Sequence, residues 1–494
     1  GMAMAHWEIQ GWMILILGWV FVPFYTRSMV YTMPEFLERR YNPQSRTILS
    51  VISLVSYVLT KVAVTVYAGG LVFQQVFGIK ELWGIDFFWI AAIGLVVLTA
   101  LYTIFGGMKS VLYTSVLQTP ILLLGSLIIL VLGFKELGGW DEMMRVCGAV
   151  TVNDYGDTMT NLIRSNDDAN FPWLGALIGS AIIGFWYWCT DQFIVQRVLS
   201  GKNEMEARRG TIFGAYLKLL PVFLFLIPGM IAFALHQKYI GAGGEGFLPM
   251  LANGTANADA AFPTLVAKLL PAGVKGLVVC GILAALMSSL ASLFNSSAML
   301  FTIDFYKRFR PETPEKKLVG IGQVATVVIV ILGILWIPIM RSVGDVLYTY
   351  LQDVQSVLAP GIAAAFLLGI CWKRTSAQGG MWGLISGMVI GLTRLGAKVY
   401  YSNAGEVADS TFKYLFYDMN WLFFCGWMFL FCIIVVIVVS LATKAPTAEK
   451  IQGLVFGTAT KEQKAATRAS WNHWDIIHTV IILAITAAFY WYFW

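Results

Sequence analysis

The chain has 494 residues, of which 58% are hydrophobic and 13% are charged, and its mean hydropathy is +0.72. A soluble domain cannot bury so large a share of apolar side chains, so the composition predicts a polytopic membrane protein. The net charge of +6 comes from basic residues that flank apolar segments. That placement is typical of membrane loops rather than of a nucleic-acid-binding surface, and no nucleic-acid partner is expected.

Apolar runs long enough to cross about 30 Å of hydrocarbon recur along the chain. Each is expected to be a helix, because lipid offers no hydrogen-bond partner to open backbone groups. Most of the 34 lysines and arginines fall in loops on one side of these spans, which the positive-inside rule makes cytoplasmic. The twelve predicted spans are 9–25, 47–74, 87–105, 110–133, 172–196, 210–235, 274–304, 318–340, 346–372, 377–397, 420–442 and 475–493.

The sequence shows no pattern typical of an enzyme. Its six cysteines and four histidines have no metal-ligand spacing, and no nucleophile, base and orienting group can be assembled into a triad. The glycine-rich stretches "FGGM" (105–108) and "GAGGEG" (241–246) lack the context of a phosphate loop and are predicted to be turns. Neither catalysis nor an organic cofactor is therefore expected.

A few polar side chains lie inside the predicted spans, where a charge costs about 2.5–3.5 kcal/mol or more, so function is expected among them. They are Glu8, Lys61, Asp191, Lys218 and Gln352. Glu8, Lys218 and Gln352 together offer a carboxylate, an ammonium and an amide, a set that suits a neutral solute rich in hydroxyl groups. Each is also explicable by helix–helix contacts or, for Lys218, by snorkelling towards the membrane surface.

A row of serines marks one face of a predicted span in "ALMSSLASLFNSS" (285–297). Helical spacing aligns Ala285 with Ser288, Ser289, Ser292 and Ser296. Small residues of this kind permit close helix packing. They also suit Na⁺, which prefers oxygen ligands, and Ser288 and Ser289 would supply two hydroxyls beside the Ala285 carbonyl. The residues alone leave both interpretations open.

An aromatic cluster lies in "GFWYWCTDQFIVQR" (184–197), too deep in its span for an interfacial belt. Either it packs in the core, or Tyr187 stacks on a ring-shaped substrate while Gly184 gives the backbone room to unwind. Asp191 and Gln192 follow one turn later and would satisfy backbone donors freed by such unwinding.

Long motifs resemble the sodium/solute symporter family, and within it the sodium/glucose cotransporter branch. They are "FWYWCTDQFIVQRVLSGKN", "AYLKLLP", "AFPTLVAKLLPAGVKGLVVCGILAALMSSLASLFNSSAMLFTIDFYKRF" and "APGIAAAFLLGICWKR", and the similarity covers essentially all 494 residues. The resemblance implies an all-α, leucine-transporter-like fold of two inverted five-helix repeats with extra helices, fourteen in all. Two helices are then expected upstream of Gly1.

The resemblance also implies an organisation within a single transporter domain, 1–494. Residues 1–171 would form the remainder of the first repeat, 172–372 the second repeat, and 373–494 the additional C-terminal helices. Extracellular Na⁺ would be the coupling ion, and transport would proceed by alternating access.

Particular residues take implied roles through these motifs. Glu8, Lys218 and Gln352 would bind sugar hydroxyls. Tyr187 would be the inner aromatic gate, flanked by Trp188. Gln355 stands near the sugar where relatives have threonine.

The cation site implied by the resemblance uses the Ala285 carbonyl with the hydroxyls of Ser288 and Ser289. Ser115 stands where sugar symporters usually have aspartate, and Ala291 stands where two-sodium members have threonine. Both changes would remove ligands of a second sodium site, so one Na⁺ per sugar is predicted.

The function implied is import of a glucose- or galactose-like monosaccharide by a sodium-coupled symporter in the lipid bilayer of a bacterial inner membrane. The bacterial assignment rests on the short tail and the lack of loop disulfides. No residue separates a hexose from myo-inositol or another polyol. A weakly coupled sugar sensor or uniporter is the remaining alternative, which Ser115 keeps open.

Overall fold

The protein is described by a computed structural model that covers residues 1–30, 32–251, 254–343, 346–404 and 408–494, without the side chains of 102, 104–112, 114, 117 and 341–343. Helices make up most of it, as predicted. The β structure of the described residues is a short antiparallel hairpin, in which Glu81–Leu82 pairs with Ile85–Asp86, together with two isolated bridges.

Eleven long helices, numbered α1 to α11 in chain order, form the body of the described structure. They are α1 (Met2–Ser28), α2 (Pro43–Phe77), α3 (Phe87–Leu137), α4 (Trp173–Thr190), α5 (Glu204–Gly241), α6 (Ala272–Phe309), α7 (Glu315–Val343), α8 (Leu347–Cys371), α9 (Ala377–Asn403), α10 (Trp421–Ala442) and α11 (His473–Tyr492).

Shorter helices connect or flank the long ones. The helices of eight or nine residues are Met33–Arg40, Trp140–Gly148, Gln192–Leu199, Ala261–Leu269 and Lys461–Ala469. The remaining pieces are Ala258–Ala260, Lys307–Phe309 within α6, Thr411–Lys413, Tyr414–Asp418 and Ala448–Ile451.

Ten segments of the described chain are long and apolar enough to cross a membrane, and each coincides with one of the twelve predicted spans. The predicted span 87–105 corresponds only to a shorter apolar stretch, Phe87–Leu101, of α3. The predicted span 377–397 is the helix α9, whose glycines and Arg394 lower its hydropathy. The predicted count of twelve is therefore not reached, and the division of the chain at 171 and 372 stays a prediction.

The turn predicted at 105–108 is wrong. The helix α3 continues through these residues and is 51 residues long. Two adjacent glycines cost a helix roughly 1 kcal/mol each relative to alanine, which the apolar helix formers on either side can offset. The turn predicted at 241–246 does follow the end of α5 at Gly241.

Several long helices contain π-helical turns, in which one extra residue changes the direction of the side chains and which are frequent at functional sites. In α5 the π turn follows Pro221, which lacks a backbone N–H. In α4 the π turn ends the helix at Thr190. The π turns within these helices are Leu17–Phe21 in α1, Tyr57–Val62 in α2, Phe185–Thr190 in α4, Val222–Leu226 in α5 and Leu300–Tyr306 in α6.

The helices α8 and α9 cross at two glycines. A Cβ atom added to Gly387 would lie 2.6 Å from the Cα atom of Gly361, so backbone meets backbone at this point. Small residues of this kind let membrane helices approach closely and gain van der Waals contact. The crossing brings the backbones of α8 and α9 into direct contact.

Replacing Gly387 by alanine is expected to destabilise the fold. Backbone atoms cannot move aside for the new methyl group, so we expect Gly387→Ala to lower the free energy of unfolding by about 1–3 kcal/mol. Gly396 in the same helix has no atom within 4 Å of an added Cβ, so Gly396→Ala should leave stability equal or raise it by up to about 1 kcal/mol. Thermal unfolding of both detergent-purified variants checks this, and equal stability of the two would contradict it.

Candidate functional site

A cavity of about 230 Å³ lies among helices α1, α4, α5 and α8. This volume lies below the range of about 300–1,000 Å³ that is typical of pockets for drug-sized ligands, so the cavity suits a small solute. All six residues predicted to bind substrate line it. Its walls are formed by Trp7, Glu8, Gln10, Ile183, Gly184, Tyr187, Trp188, Lys218, Tyr348, Leu351, Gln352 and Gln355.

The first helix is interrupted where it reaches the cavity. The helical stretch Ala5–Glu8 ends at Ile9, and the helix resumes at Gly11. The Gln10 side chain spans the gap to α4, where its Nε2 donates a hydrogen bond of 2.9 Å to the Ser180 carbonyl. A Cβ atom on Gly184 would lie 2.5 Å from the Gln10 Oε1 atom. Gly184 therefore makes room for Gln10.

The Glu8 carboxylate has a partner on each oxygen. Lys218 Nζ donates to Oε2 at 2.8 Å, and the Tyr348 hydroxyl donates to Oε1 at 2.9 Å. The same ammonium lies 5.5 Å from the ring centroid of Trp188. The pair places one positive and one negative charge in the cavity wall, so it carries no net charge. Such a wall favours a neutral solute, because a charged one would enter without a counter-charge.

The helix α8 contributes Tyr348, Gln352 and Gln355 to the same wall. The amide oxygen of Gln352 is buried and has no hydrogen-bond partner among the described residues. A buried acceptor left without a donor costs about 1–3 kcal/mol. A ligand hydroxyl would remove that cost by donating to it.

The start of α8 is held by the loop that precedes α6. The Asp259 carboxylate accepts from the backbone N–H of Leu347 at 3.1 Å. Burial disfavours the charged form and raises the pKa of Asp259 to about 6.

The aromatic cluster lies in the π-helical turn Phe185–Thr190. The Tyr187 ring lies 5.1 Å from that of Trp188 at an interplanar angle of 82°, and 6.2 Å from that of Trp186 at 69°. Tyr187 and Trp188 both border the cavity, so the cluster forms part of its wall as well as packing within the core.

Beyond this turn the chain breaks at Asp191, whose backbone is extended, and Gln192–Leu199 begins a new helix. The Asp191 carboxylate accepts from the backbone N–H of Phe193 at 3.1 Å, which is the supporting role predicted for it. It also forms a buried ion pair with Lys61 of α2.

The predicted cation ligands lie on a regular stretch of α6, where Ala285 precedes Ser288 and Ser289 by one turn. Ser288 is buried, and its hydroxyl shares a hydrogen bond of 2.6 Å with that of Ser115 in α3. Ser115, whose hydroxyl in place of an aspartate predicted the loss of a second sodium site, thus lies beside Ser288, a predicted ligand of the first. Within the described residues no cluster of three or more His, Cys, Asp or Glu side chains is placed to hold a metal ion.

The other two serines of the row have partners of their own. The Gln196 Nε2 donates to the Ser296 hydroxyl at 2.6 Å, and Arg197 donates to the Ser292 hydroxyl. These two serines therefore do more than permit close packing, because they accept hydrogen bonds that join the helix Gln192–Leu199 to α6.

Three further polar or aromatic residues of the cavity were not singled out from the sequence. Tyr348 precedes Gln352 by four residues and so shares its helix face, which is a signal that the sequence contained. Gln10 is a polar residue within a predicted span, and Trp7 adjoins Glu8.

Comparison with known proteins identifies the family. The sodium:solute symporter family model matches residues 1–387. The sodium/mannose cotransporter of Bos taurus is 36% identical over 98% of this chain and 83% of its own length. Sodium/glucose cotransporter 1 of Ovis aries is 37% identical over 87% of this chain and 67% of its own length. Sodium/myo-inositol cotransporter 2 of Homo sapiens is 35% identical over 93% of this chain and 69% of its own length.

A solved structure of a Na⁺-coupled sialic acid symporter, in a substrate-bound outward-open state, aligns with a TM-score of 0.68 over 90% of this chain and 84% of that chain. Its sequence identity is 21%, so the likeness concerns the fold. The family model covers most of the chain, and the relatives are more than 30% identical along most of it. This chain therefore belongs to the sodium:solute symporter family.

Proposed function

We propose that this protein imports a neutral, hydroxyl-rich solute of the monosaccharide class together with one Na⁺ per solute molecule. The observation that carries the proposal is the wall of the cavity. There the Glu8 carboxylate is neutralised by Lys218, and the buried amide oxygen of Gln352 has no donor among the residues that the structure describes. Relatives named for mannose, glucose and myo-inositol support the same class of solute.

The proposed contacts follow from the donors and acceptors that each side chain offers. Glu8 accepts hydroxyl protons, Lys218 donates to a hydroxyl oxygen, and the Gln352 amide oxygen accepts. A solute hydroxyl that bridges Glu8 and Lys218 replaces part of their direct contact, so the ion pair stays satisfied. Tyr187 and Trp188 pack against the apolar face of the ring, and Gln355 supplies a further polar contact.

The proposed cation site uses neutral oxygens. The Ala285 carbonyl and the hydroxyls of Ser288 and Ser289 suit Na⁺, and Ser115 adds a hydroxyl beside them. Without a carboxylate the site binds weakly, which suits an ion that must be released inside. Ser115 and Ala291 stand in place of the aspartate and threonine that would bind a second Na⁺, which supports a single Na⁺ per solute.

One Na⁺ is sufficient to concentrate a neutral solute. A membrane potential of about 100 mV supplies roughly 2.3 kcal/mol for each charge. Since 1.36 kcal/mol corresponds to a factor of ten, this gives roughly fiftyfold accumulation before the Na⁺ gradient is added.

A second candidate solute on the same fold is myo-inositol or another polyol. The myo-inositol relative covers 93% of this chain at 35% identity. The polar side chains of the cavity can bind the hydroxyl groups of either a hexose or a polyol. Competition among a panel of hexoses and inositols in one preparation would therefore identify the solute.

Sodium-driven accumulation is the expected activity of the purified chain. Proteoliposomes with an inward Na⁺ gradient and an interior-negative potential of about 100 mV should accumulate tritiated glucose, mannose or myo-inositol more than tenfold above the external concentration. Replacing Na⁺ by K⁺ should leave only slow equilibration.

Two serines of α6 test the cation site within that assay. Ser288→Ala should abolish accumulation, because it removes a predicted ligand. Ser297 is also buried, and its hydroxyl has no partner among the described residues, so Ser297→Ala is the matched control and should transport normally. Normal accumulation by Ser288→Ala would refute this cation site.

The amide of Gln352 should recognise one particular hydroxyl of the solute. We expect Gln352→Leu to raise the solute KM by roughly 5- to 30-fold, because a hydrogen bond to a buried acceptor is worth about 1–2 kcal/mol. A set of mono-deoxy analogues identifies the hydroxyl. One analogue should bind the native protein poorly and bind the variant as well as the parent sugar does. If every analogue lost the same affinity relative to the parent sugar in the native protein and in the variant, the result would contradict this contact.

A further inference from the structure

We propose that the short helix Gln192–Leu199, held at its start by the Lys61–Asp191 ion pair, is the element that couples the cation site to the solute cavity. Lys61 is then a positioning residue for transport. The inference rests on the proposed function, since it names the part of the protein through which Na⁺ acts on the solute.

The first step of the argument is the break at Asp191. Inside a membrane every freed backbone group needs a protein partner. Before the break, the Cys189 carbonyl accepts from the Tyr25 hydroxyl at 2.6 Å. After it, the Phe193 N–H donates to the Asp191 carboxylate. The Gln192 amide oxygen accepts from the Met33 N–H at 2.8 Å and so ties the break to the start of the helix Met33–Arg40. The break is therefore stabilised by specific hydrogen bonds within the protein.

The second step is the ion pair that closes the break. Lys61 lies in the π turn Tyr57–Val62 of α2, and its ammonium binds the Asp191 carboxylate. The two side chains are 8% and 2% exposed. The Tyr57 hydroxyl donates to the same carboxylate at 2.9 Å. Removal of one partner from such a buried pair leaves an uncompensated charge, so the pair strongly fixes the start of the helix.

The third step connects this pair to the cavity. The Lys61 ammonium lies 5.0 Å from the ring centroid of Tyr187, which borders the cavity, and 4.2 Å from that of Phe193, which lies on the short helix. Cation–π attraction therefore joins the cavity wall and the helix through one ammonium. A shift of the helix start changes the surroundings of Tyr187.

The fourth step connects the far end of the helix to the cation site. Gln196 donates to the Ser296 hydroxyl at 2.6 Å and to the Ser292 carbonyl at 3.2 Å. Arg197 donates to the Ser292 hydroxyl. Ser292 lies one turn from Ser288 on the unbroken stretch of α6. An ion between Ser288 and Ser289 restrains this turn and, through it, the short helix.

Together these contacts form a continuous path of helices and hydrogen bonds from the proposed cation site to the solute cavity. A helix of eight residues is about 12 Å long and moves as a unit, while the extended Asp191 residue absorbs its rotation. Coupling between sites requires such a connected element whose position both ligands bias. Na⁺ acts on it through Ser292 and Ser296, and the solute acts on it through Tyr187.

The experiment measures a coupling factor, which is the solute Kd in K⁺ divided by the Kd in saturating Na⁺. The purified full chain is titrated with whichever of tritiated glucose, mannose and myo-inositol it binds most tightly. We expect a factor of at least about five for the native chain. Gln196→Leu, which removes both bonds to α6, should bring it close to one while the Kd in K⁺ changes less than about threefold.

A second variant keeps the test valid if one fails to fold. Lys61→Met leaves Asp191 unpaired, so the double variant Lys61→Met/Asp191→Asn removes both charges and should also lose coupling. Lys398 and Asp353 form another Lys–Asp ion pair, which joins α9 to α8 away from the break. Lys398→Met/Asp353→Asn is the matched control and should keep the native coupling factor.

The outcomes separate the two proposals. Folded Gln196→Leu and Lys61→Met/Asp191→Asn proteins with the native coupling factor would overturn the inference and leave the proposed function standing. A native factor of one would overturn both. Loss of coupling in Lys398→Met/Asp353→Asn as well would also overturn the inference, because removal of any such ion pair would then have the same effect.

Discussion

The ion pair between Lys61 and Asp191 satisfies two charges where lipid could satisfy neither. Because it holds the one extended residue between α4 and Gln192–Leu199, the aromatic turn before it and the helix after it keep fixed positions. The aromatic turn supplies Tyr187 and Trp188 to the cavity. The helix after it supplies Gln196 and Arg197 to the serine row of α6. The cavity and the serine row are thus arranged around one buried contact.

The same constraint explains the chemistry of the cavity. Glu8, at an interruption of α1, is balanced by Lys218 of α5 and by the Tyr348 hydroxyl of α8. The wall therefore offers donors and acceptors without net charge, which is what a hydroxyl-rich neutral solute requires. The proposed cation site follows the opposite design, with hydroxyl and carbonyl oxygens alone, so that Na⁺ would bind reversibly and its effect would depend on the surrounding helices.

Much of this arrangement is predictable from the sequence. Helical spans follow from composition, and polar residues inside spans stand out because charges are costly there. Glu8, Lys218 and Gln352 were predicted to bind one solute, and Ser288 was predicted to bind a cation. Family motifs, rather than spacing, assigned these roles. Tyr348 had a sequence signal in its spacing from Gln352, but its bond to Glu8 depends on how α8 and α1 pack.

Other features depend on tertiary structure. Lys61 and Asp191 are 130 residues apart, and nothing local pairs them. The position of Ser115 beside Ser288 requires α3 and α6 to be adjacent, which hydropathy does not specify. The turn predicted at 105–108 failed because glycines permit a turn without requiring one. The helix α9, predicted as the span 377–397, packs closely against α8 through Gly387 but is less apolar than the ten candidate spans.

The central claim is that one cation site and one solute cavity act on a shared element, and reciprocal binding tests it most directly. The solute Kd is measured in Na⁺ and in K⁺, and the Na⁺ Kd with and without the solute, on the same purified chain. Linkage requires both constants to fall by one common factor, for which we predict about fivefold or more. A solute Kd that is the same in Na⁺ and in K⁺ would contradict the account.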